Sequence, residues 1–280
     1  MYEIIFLFAL ALIYIIFAIV QDIKTREIAD WLNFSMIIFA LGFRFFYSLF
    51  SGEFSFFYQG IIGLGIFFIL SEVFYHSHIF AGGDAKLMRA LGPILFIYPD
   101  TLQNINKSLI FLLIFLFVSL FYMLGTSTFL GIKYLKEFKK EFSKQVKVHK
   151  KKIMFSSLVG LILLSLGFFN FIFAILSLFV FFLPYTYLLA KSIDEACMIK
   201  IVKSEKLTEG DWLYSDLKLG KKVLKAKWDG LTRKEISEIK RYYSQVKIRQ
   251  GIAFSPTFLI SFILWAVFIL FNLDLWNSFW

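Results

Sequence analysis

Read from the N-terminus, the chain alternates long apolar runs with short charged ones. The first run is Ile4 to Val20, the second Trp31 to Phe50 and the third Phe57 to Tyr75. Arg44 interrupts the second, and Glu72 stands in the last turn of the third. A fourth, Ala85 to Tyr98, is short and carries Arg89 and a Gly92-Pro93 break; Leu109 to Leu130 is the fifth. From Met154 to Ala190 the chain is almost uncharged for 37 residues. About 20 apolar residues cross the ~30 Å hydrocarbon core of a bilayer. A single helix over this stretch would be ~55 Å long, beyond any tilt a bilayer accommodates. Gly167-Phe168-Phe169-Asn170 divides it, so the pattern predicts a hairpin of two spans. Ile252 to Leu270, with Pro256 near its start, is the last run. The expectation is eight membrane-spanning helices.

Composition agrees. Of 280 residues 59% are hydrophobic and 20% aromatic, with 38 Phe, and the mean hydropathy is +0.73. Water-soluble domains have nearer 45–50% apolar residues. With one cysteine, Cys197, neither a disulfide framework nor a cysteine-based zinc site is available. No basic segment precedes the first apolar run and further runs follow it, unlike a cleaved signal peptide.

The charge pattern orients the spans. The formal charge is +10. If residues 21–30, 76–86, 131–152 and 191–249 share the cytoplasmic side, they hold 27 of the 30 Lys and Arg. Arg44 and Arg89 lie within spans, leaving Lys107 as the external basic residue. This is the bias of the positive-inside rule, and it requires an even number of spans with both termini outside. Lys133 to Lys152, with nine Lys and two Glu, reads as a basic helical extension of span five attracted to anionic head groups. It has no nucleic-acid reader motif. Residues 191–249 mix both charge signs with alternating apolar positions, including Val223, Leu224 and Trp228, and then show a capping-box pattern at Thr232 and Glu235. The predicted fold is therefore an all-α polytopic membrane protein with a small α+β cytoplasmic module before the last span. Its expected parts are a membrane core at 1–130, a basic segment at 131–153, a transmembrane hairpin at 154–190, the module at 191–249 and a last span at 250–280.

Ionisable groups at or inside spans are costly and mark function. Asp22 directly follows span one, and Asp84 opens span four in Ala81-Gly82-Gly83-Asp84-Ala85-Lys86. Spans of opposite direction bring both to one membrane face. Gly82 and Gly83 allow close approach of an extended substrate, and they are taken with Lys86 as substrate-binding candidates. Two facing carboxyls in a partly dry site share a proton, so one activates water and the other polarises a peptide carbonyl. Asp30 is the competing partner for Asp84. Glu72, His76 and His78 have the spacing of a metal site, but the carboxylate chemistry needs no metal or cofactor. Arg44 and Arg89 are expected to snorkel or to pair with an interior acid. Glu209 and Asp211 read as a turn over Trp212.

Ile79 to Gly92, containing Gly82-Gly83-Asp84, resembles the second signature of type IV prepilin peptidases, of the GxGD class of intramembrane aspartyl proteases. Asp22 to Asn33 resembles their first signature. Glu209 to Leu213 and Val246 to Pro256 are similar to the C-terminal part of archaeal members, which process archaellins and pilins. Where the family has Gly, Pro and Pro, this chain has Ala81, Ala29 and Ala253. The resemblance implies an aspartic endopeptidase in the plasma membrane, with Asp22 and Asp84 as dyad at the cytoplasmic face. Its partners would be prepilins or prearchaellins, with a basic leader before an apolar helix, and membrane lipids; no nucleic acid is expected. Because the chain begins at span one and has a single Cys, the resemblance implies peptidase activity without the methyltransferase of bacterial relatives. The rival readings are an ion or solute transporter and a non-catalytic scaffold of a pilus machine.

Overall fold

The computed structural model describes residues 2–169, 171–220, 222–227 and 230–271; Asn170 and Trp228, used above, lie outside them. The chain forms two compact units, Met1–Met123 with Ala253–Trp280, and Leu124–Ile252.

In the first unit, helices occupy the places of the first five apolar runs and the last: α1 (Tyr2–Thr25), α2 (Asp30–Ser51), α3 (Ser55–His76), α4 (Gly82–Leu95), the start of α5 (Thr101–Lys133), and a helix at Pro256–Leu270. Helix α4 packs against α1, α2 and α3, and ten of its fourteen residues are buried. At ~1.5 Å per residue it is only about 21 Å long. A helix surrounded by other helices meets little lipid, so it need not match the bilayer thickness. Helices α3 and α4 meet tightly at two glycines. A Cβ placed on Gly63 would lie 2.4 Å from the Gly92 carbonyl oxygen, and one on Gly92 would lie 2.5 Å from that of Gly63. Small residues at helix crossings let backbones approach and gain van der Waals contact where no hydrophobic force acts between helices.

Arg44 of α2 is fully buried. It does not snorkel, and among the described residues it pairs with no acid. Its guanidinium donates to the carbonyls of Phe56 and, at 2.6 Å, Phe96, and it lies over the Phe56 ring. The end of α4 has few partners of its own, and Arg44 supplies one. Asn104 supplies others: its Nδ2 donates to the Tyr98 carbonyl, and its Oδ1 accepts the Tyr98 N–H. Arg89, by contrast, does pair with an acid, Glu72, and stacks on Phe68.

The second unit takes α5 onward into α6 (Leu135–Val148), α7 (Lys150–Leu166) and α8 (Phe171–Cys197). The basic segment is helical, but it is not an extension of the fifth span. The helix breaks at Tyr134 (φ −112°, ψ 43°), and α6 is a separate element packed on α8. A turn at 167–169 separates α7 from α8, as a hairpin requires. Helix α8 continues to Cys197, and strands then follow: β1 (Ile199–Lys203), β2 (Trp212–Leu213), β3 (Leu217–Leu219), β4 (Lys222–Leu224) and β5 (Gln245–Arg249). The sheet order is β1-β5-β2, all antiparallel, beside a β3-β4 hairpin. Between β4 and β5 lies α9 (Arg233–Tyr242), opened by the expected capping box of Thr232 and Glu235. Leu213, Leu219, Ile236, Ile239, Val246 and Ile248 form part of this unit's own core. Glu209 and Gly210 form the expected turn, with Asp211 accepting the Thr208 N–H.

Among the described residues, five helical stretches are long and apolar enough to cross a membrane: α1, α2, α3, α5 and Leu176–Cys197 of α8. The remaining apolar helices α4, α7 and the last helix, α10 (Pro256–Leu270), have 14, 17 and 15 residues.

Candidate active site

Three helix ends of the first unit converge. Asp22 stands in the last turn of α1, Asp84 in the first turn of α4, and Ser255 directly before Pro256 at the start of α10. The first helix stops after Thr25 because Arg26 takes a left-handed conformation (φ 61°) while its N–H still bonds the Asp22 carbonyl. The chain then turns back. Ile28 packs against Gly83, where an added Cβ would meet it at 3.4 Å. Ala29 N–H donates to the side-chain oxygen of Gln21 at 2.9 Å. A proline at this position has no N–H to give, so the alanine here supplies a bond the prolyl form of the motif lacks.

Ala81 caps α4 with φ −71° and ψ 162°. That is ordinary extended backbone, and alanine in place of glycine costs no strain there. Gly82 and Gly83 are the first two helical residues, and neither has positive φ. The lack of a side chain at Gly83 matters for space beside Ile28 rather than for an unusual backbone, while a Cβ on Gly82 would meet only Tyr75, at 3.9 Å.

Both carboxyls are almost enclosed: Asp22 is 8% and Asp84 9% exposed. Helix α1 packs against α4, and the contact of Ile28 with Gly83 brings the chain just past Asp22 against the residue before Asp84. The Ser255 main-chain N–H donates to Asp22 Oδ2 at 3.1 Å. Ser255 is itself fully buried, and its Oγ has no protein partner. Tyr122 of α5 completes this end: its hydroxyl donates to the Ala253 carbonyl at 2.8 Å and is within electrostatic reach of Asp22. Next to these groups Phe80, Phe115, Phe254 and Phe258 form a ring cluster, with Phe115 and Phe258 centroids 4.8 Å apart. The two carboxyls are thus largely shut off from solvent, with Phe254 of the ring cluster adjacent in sequence to the Ser255 that bonds Asp22.

The other candidates lie around this centre. Lys86 pairs with Asp30, on the exposed side of α2 and α4. The half-exposed Asp30 is thus engaged in a surface ion pair, while Asp22 is the acid enclosed with Asp84. Glu72 pairs with Arg89 and, at 3.3 Å, with His76. Among the described residues no group of three or more His, Cys, Asp and Glu is arranged to hold a metal ion. Ser255 and Tyr122 were not singled out from sequence. The Ser255-Pro256 pair does carry a local signal, proline in the first turn of a helix.

The model of the type IV leader peptidase family matches residues 6–130, which contain both aspartates. The chain is 32% identical over 88 residues to a preflagellin peptidase of Methanocaldococcus jannaschii, a stretch that is 31% of this chain and 37% of that protein. The chain thus matches well under half the length of this relative. No solved structure matches. Residues 6–130 are thus similar to the type IV leader peptidase family, within a mostly helical chain whose long apolar helices are those of a membrane protein.

Proposed function

We propose that the protein is a membrane-embedded aspartic endopeptidase that removes the short basic leader from prepilin-like or prearchaellin substrates. The observation that carries this reading is the pair Asp22 and Asp84, both more than nine-tenths buried at the ends of two helices that pack on each other. The name of the preflagellin peptidase relative supports the substrate class.

Two neighbouring carboxyls in a poorly hydrated site hold one proton between them, and the pair titrates as a unit. The ionised carboxyl takes a proton from a water molecule as the water oxygen attacks the scissile carbonyl carbon. The protonated carboxyl gives its proton to the carbonyl oxygen, forming a gem-diol. A proton then passes to the amide nitrogen, the C–N bond breaks, and a leader carboxylate and a new N-terminal amine leave. Ser255 N–H holds the Asp22 carboxyl in place throughout.

In this reading the eight apolar helices all span the plasma membrane, and the carboxyls lie at the cytoplasmic face, where the basic residues of the loops collect. A prepilin's scissile bond lies at that same surface. Gly82 and Gly83 leave room beside the carboxyls for the substrate main chain, and Lys86 stands near its path. The test is the full-length enzyme reconstituted with a substrate carrying a basic leader and an apolar helix. A product shortened at the leader junction is expected; an intact substrate after prolonged incubation rules the proposal out.

A further inference from the structure

Helix α5 is the least buried of the long apolar helices: 11% of its most apolar stretch, against 28% in α1. Between α5 and α10 lies an open groove of about 540 Å³. Leu113, Phe117 and Phe121, four residues apart and so on one stripe, line it from α5. Ile260 and Leu264 line it from α10. The three α5 side chains are 61–67% exposed. Tyr122 also lines the groove, and Tyr122 is the residue whose hydroxyl bonds Ala253 beside Asp22. One end of the groove therefore lies at Tyr122, whose partner Ala253 is two residues before the Ser255 that bonds Asp22. From Tyr122 back to Leu113 it continues for roughly 13 Å along α5, at ~1.5 Å per residue.

We propose that this groove receives the apolar helix of the leader-bearing substrate, seating the residues just after the scissile bond. The inference rests on the peptidase reading above and adds where the substrate enters. A substrate whose apolar helix follows the cleaved bond must place that helix in the bilayer directly below the carboxyls. The groove is an apolar stripe that has one end at Tyr122, on the side of the bundle that holds Ala253 and Ser255, and extends along α5 and α10. Its volume admits one row of side chains, not a whole helix, so the substrate helix lies alongside α5 and α10 and inserts one face. Apolar contact with lipid is no worse than apolar contact with protein, so the gain comes from close packing and from registering the scissile bond. A lipid chain has no bond to register.

The experiment uses the full-length enzyme in liposomes, with Asp84→Asn to keep the substrate intact. A photo-crosslinking residue is placed at Phe117 or Leu264, and at Ile38, an exposed position of α2, as control. Capture of the substrate through its apolar helix from Phe117 and Leu264, several-fold above Ile38, is the expected result. Capture of lipid alone, of a second copy of the enzyme, or of substrate equally from Ile38 overturns the proposal. In active enzyme, Ile260→Trp narrows the groove and should raise KM roughly tenfold with kcat kept, the pattern of lost uniform binding, whereas Ile38→Trp should not. An unchanged KM in Ile260→Trp, or a loss confined to kcat, also overturns it. If the parent enzyme cleaves nothing, the peptidase reading itself has failed; if it cleaves and the groove variants behave as the controls do, only the groove assignment has.

Discussion

The main-chain N–H of Ser255 donates to Asp22 Oδ2 at 3.1 Å, tying the start of α10 to the end of α1 across 233 residues of sequence. This bond can be removed with little else disturbed. Ser255 has φ −54°, within the range proline imposes. Ser255→Pro should therefore keep the fold, leave Asp22 without this donor, and lower kcat by roughly tenfold or more, as for a lost bond to a charged group. Ser255→Ala keeps the N–H and should stay close to wild type. Steady-state kinetics of the two variants, separating kcat from KM, checks the role; equal behaviour of Pro and Ala contradicts it.

Asp22→Asn and Asp84→Asn should each insert normally and lose leader cleavage by at least about a hundredfold, the lower range for a missing general acid or base. Quantifying the shortened product against membrane-inserted enzyme measures this. Normal processing by either variant dissolves the dyad.

The crossing of α3 and α4 makes a sign prediction. Alanine raises helix propensity over glycine by up to ~1 kcal/mol, yet overpacking costs about 1–3 kcal/mol. At Gly92 the new methyl meets backbone, which cannot swing aside, so Gly92→Ala should lower the unfolding temperature of the detergent-solubilised protein. At Gly65, with no neighbour within 4 Å of a new Cβ, the same change should be neutral or stabilising.

Arg44→Met has similar length but no donors. It leaves the Phe56 and Phe96 carbonyls unbonded, at about 1–3 kcal/mol for each buried group. The expected result is a clear fall in thermal stability together with reduced cleavage, since the same α4 carries Asp84 at its other end.

In the capping box of α9, the Thr232 N–H at 2.9 Å holds the Glu235 carboxyl below its ordinary range, helped by Lys227 and the Thr232 hydroxyl. A lowered folded pKa means the contribution is present above the unfolded value near 4.5 and is lost as pH falls through the folded one. Hydrogen exchange at α9's first turn, corrected for intrinsic rates, should accelerate on going from pH 6 to pH 3. In Glu235→Gln that pH dependence should disappear.

Much of this was readable along the chain, for local reasons. A 20-residue apolar run can satisfy its backbone in a bilayer only as a helix, so each such run predicted a helix, and each helix is present. Thr232 and Glu235 needed only three residues of spacing to announce a cap. Asp22 and Asp84 stood out because a carboxyl beside an apolar run is expensive wherever the fold takes it. Other features depend on partners far away in sequence. Tyr134 is neither Gly nor Pro, so the break between α5 and α6 has no local sign; it accompanies the packing of α6 on α8. Arg44 looked like a snorkelling or acid-paired cation, because carbonyls at helix ends leave no mark in a list of side chains. Gly92-Pro93 reads as a break in the sequence, yet α4 runs through both, and Gly63 looks like any other glycine; the part both glycines play appears only where two backbones meet. The residue pattern alone determined which segments become helices and where charge is costly, since both follow from neighbours in the chain and from the lipid solvent. Which main-chain groups turn toward Asp22, Arg44 and each other was decided only when the helices packed, because hydrogen bonds and close contacts act over a few ångströms of space whatever the separation in sequence.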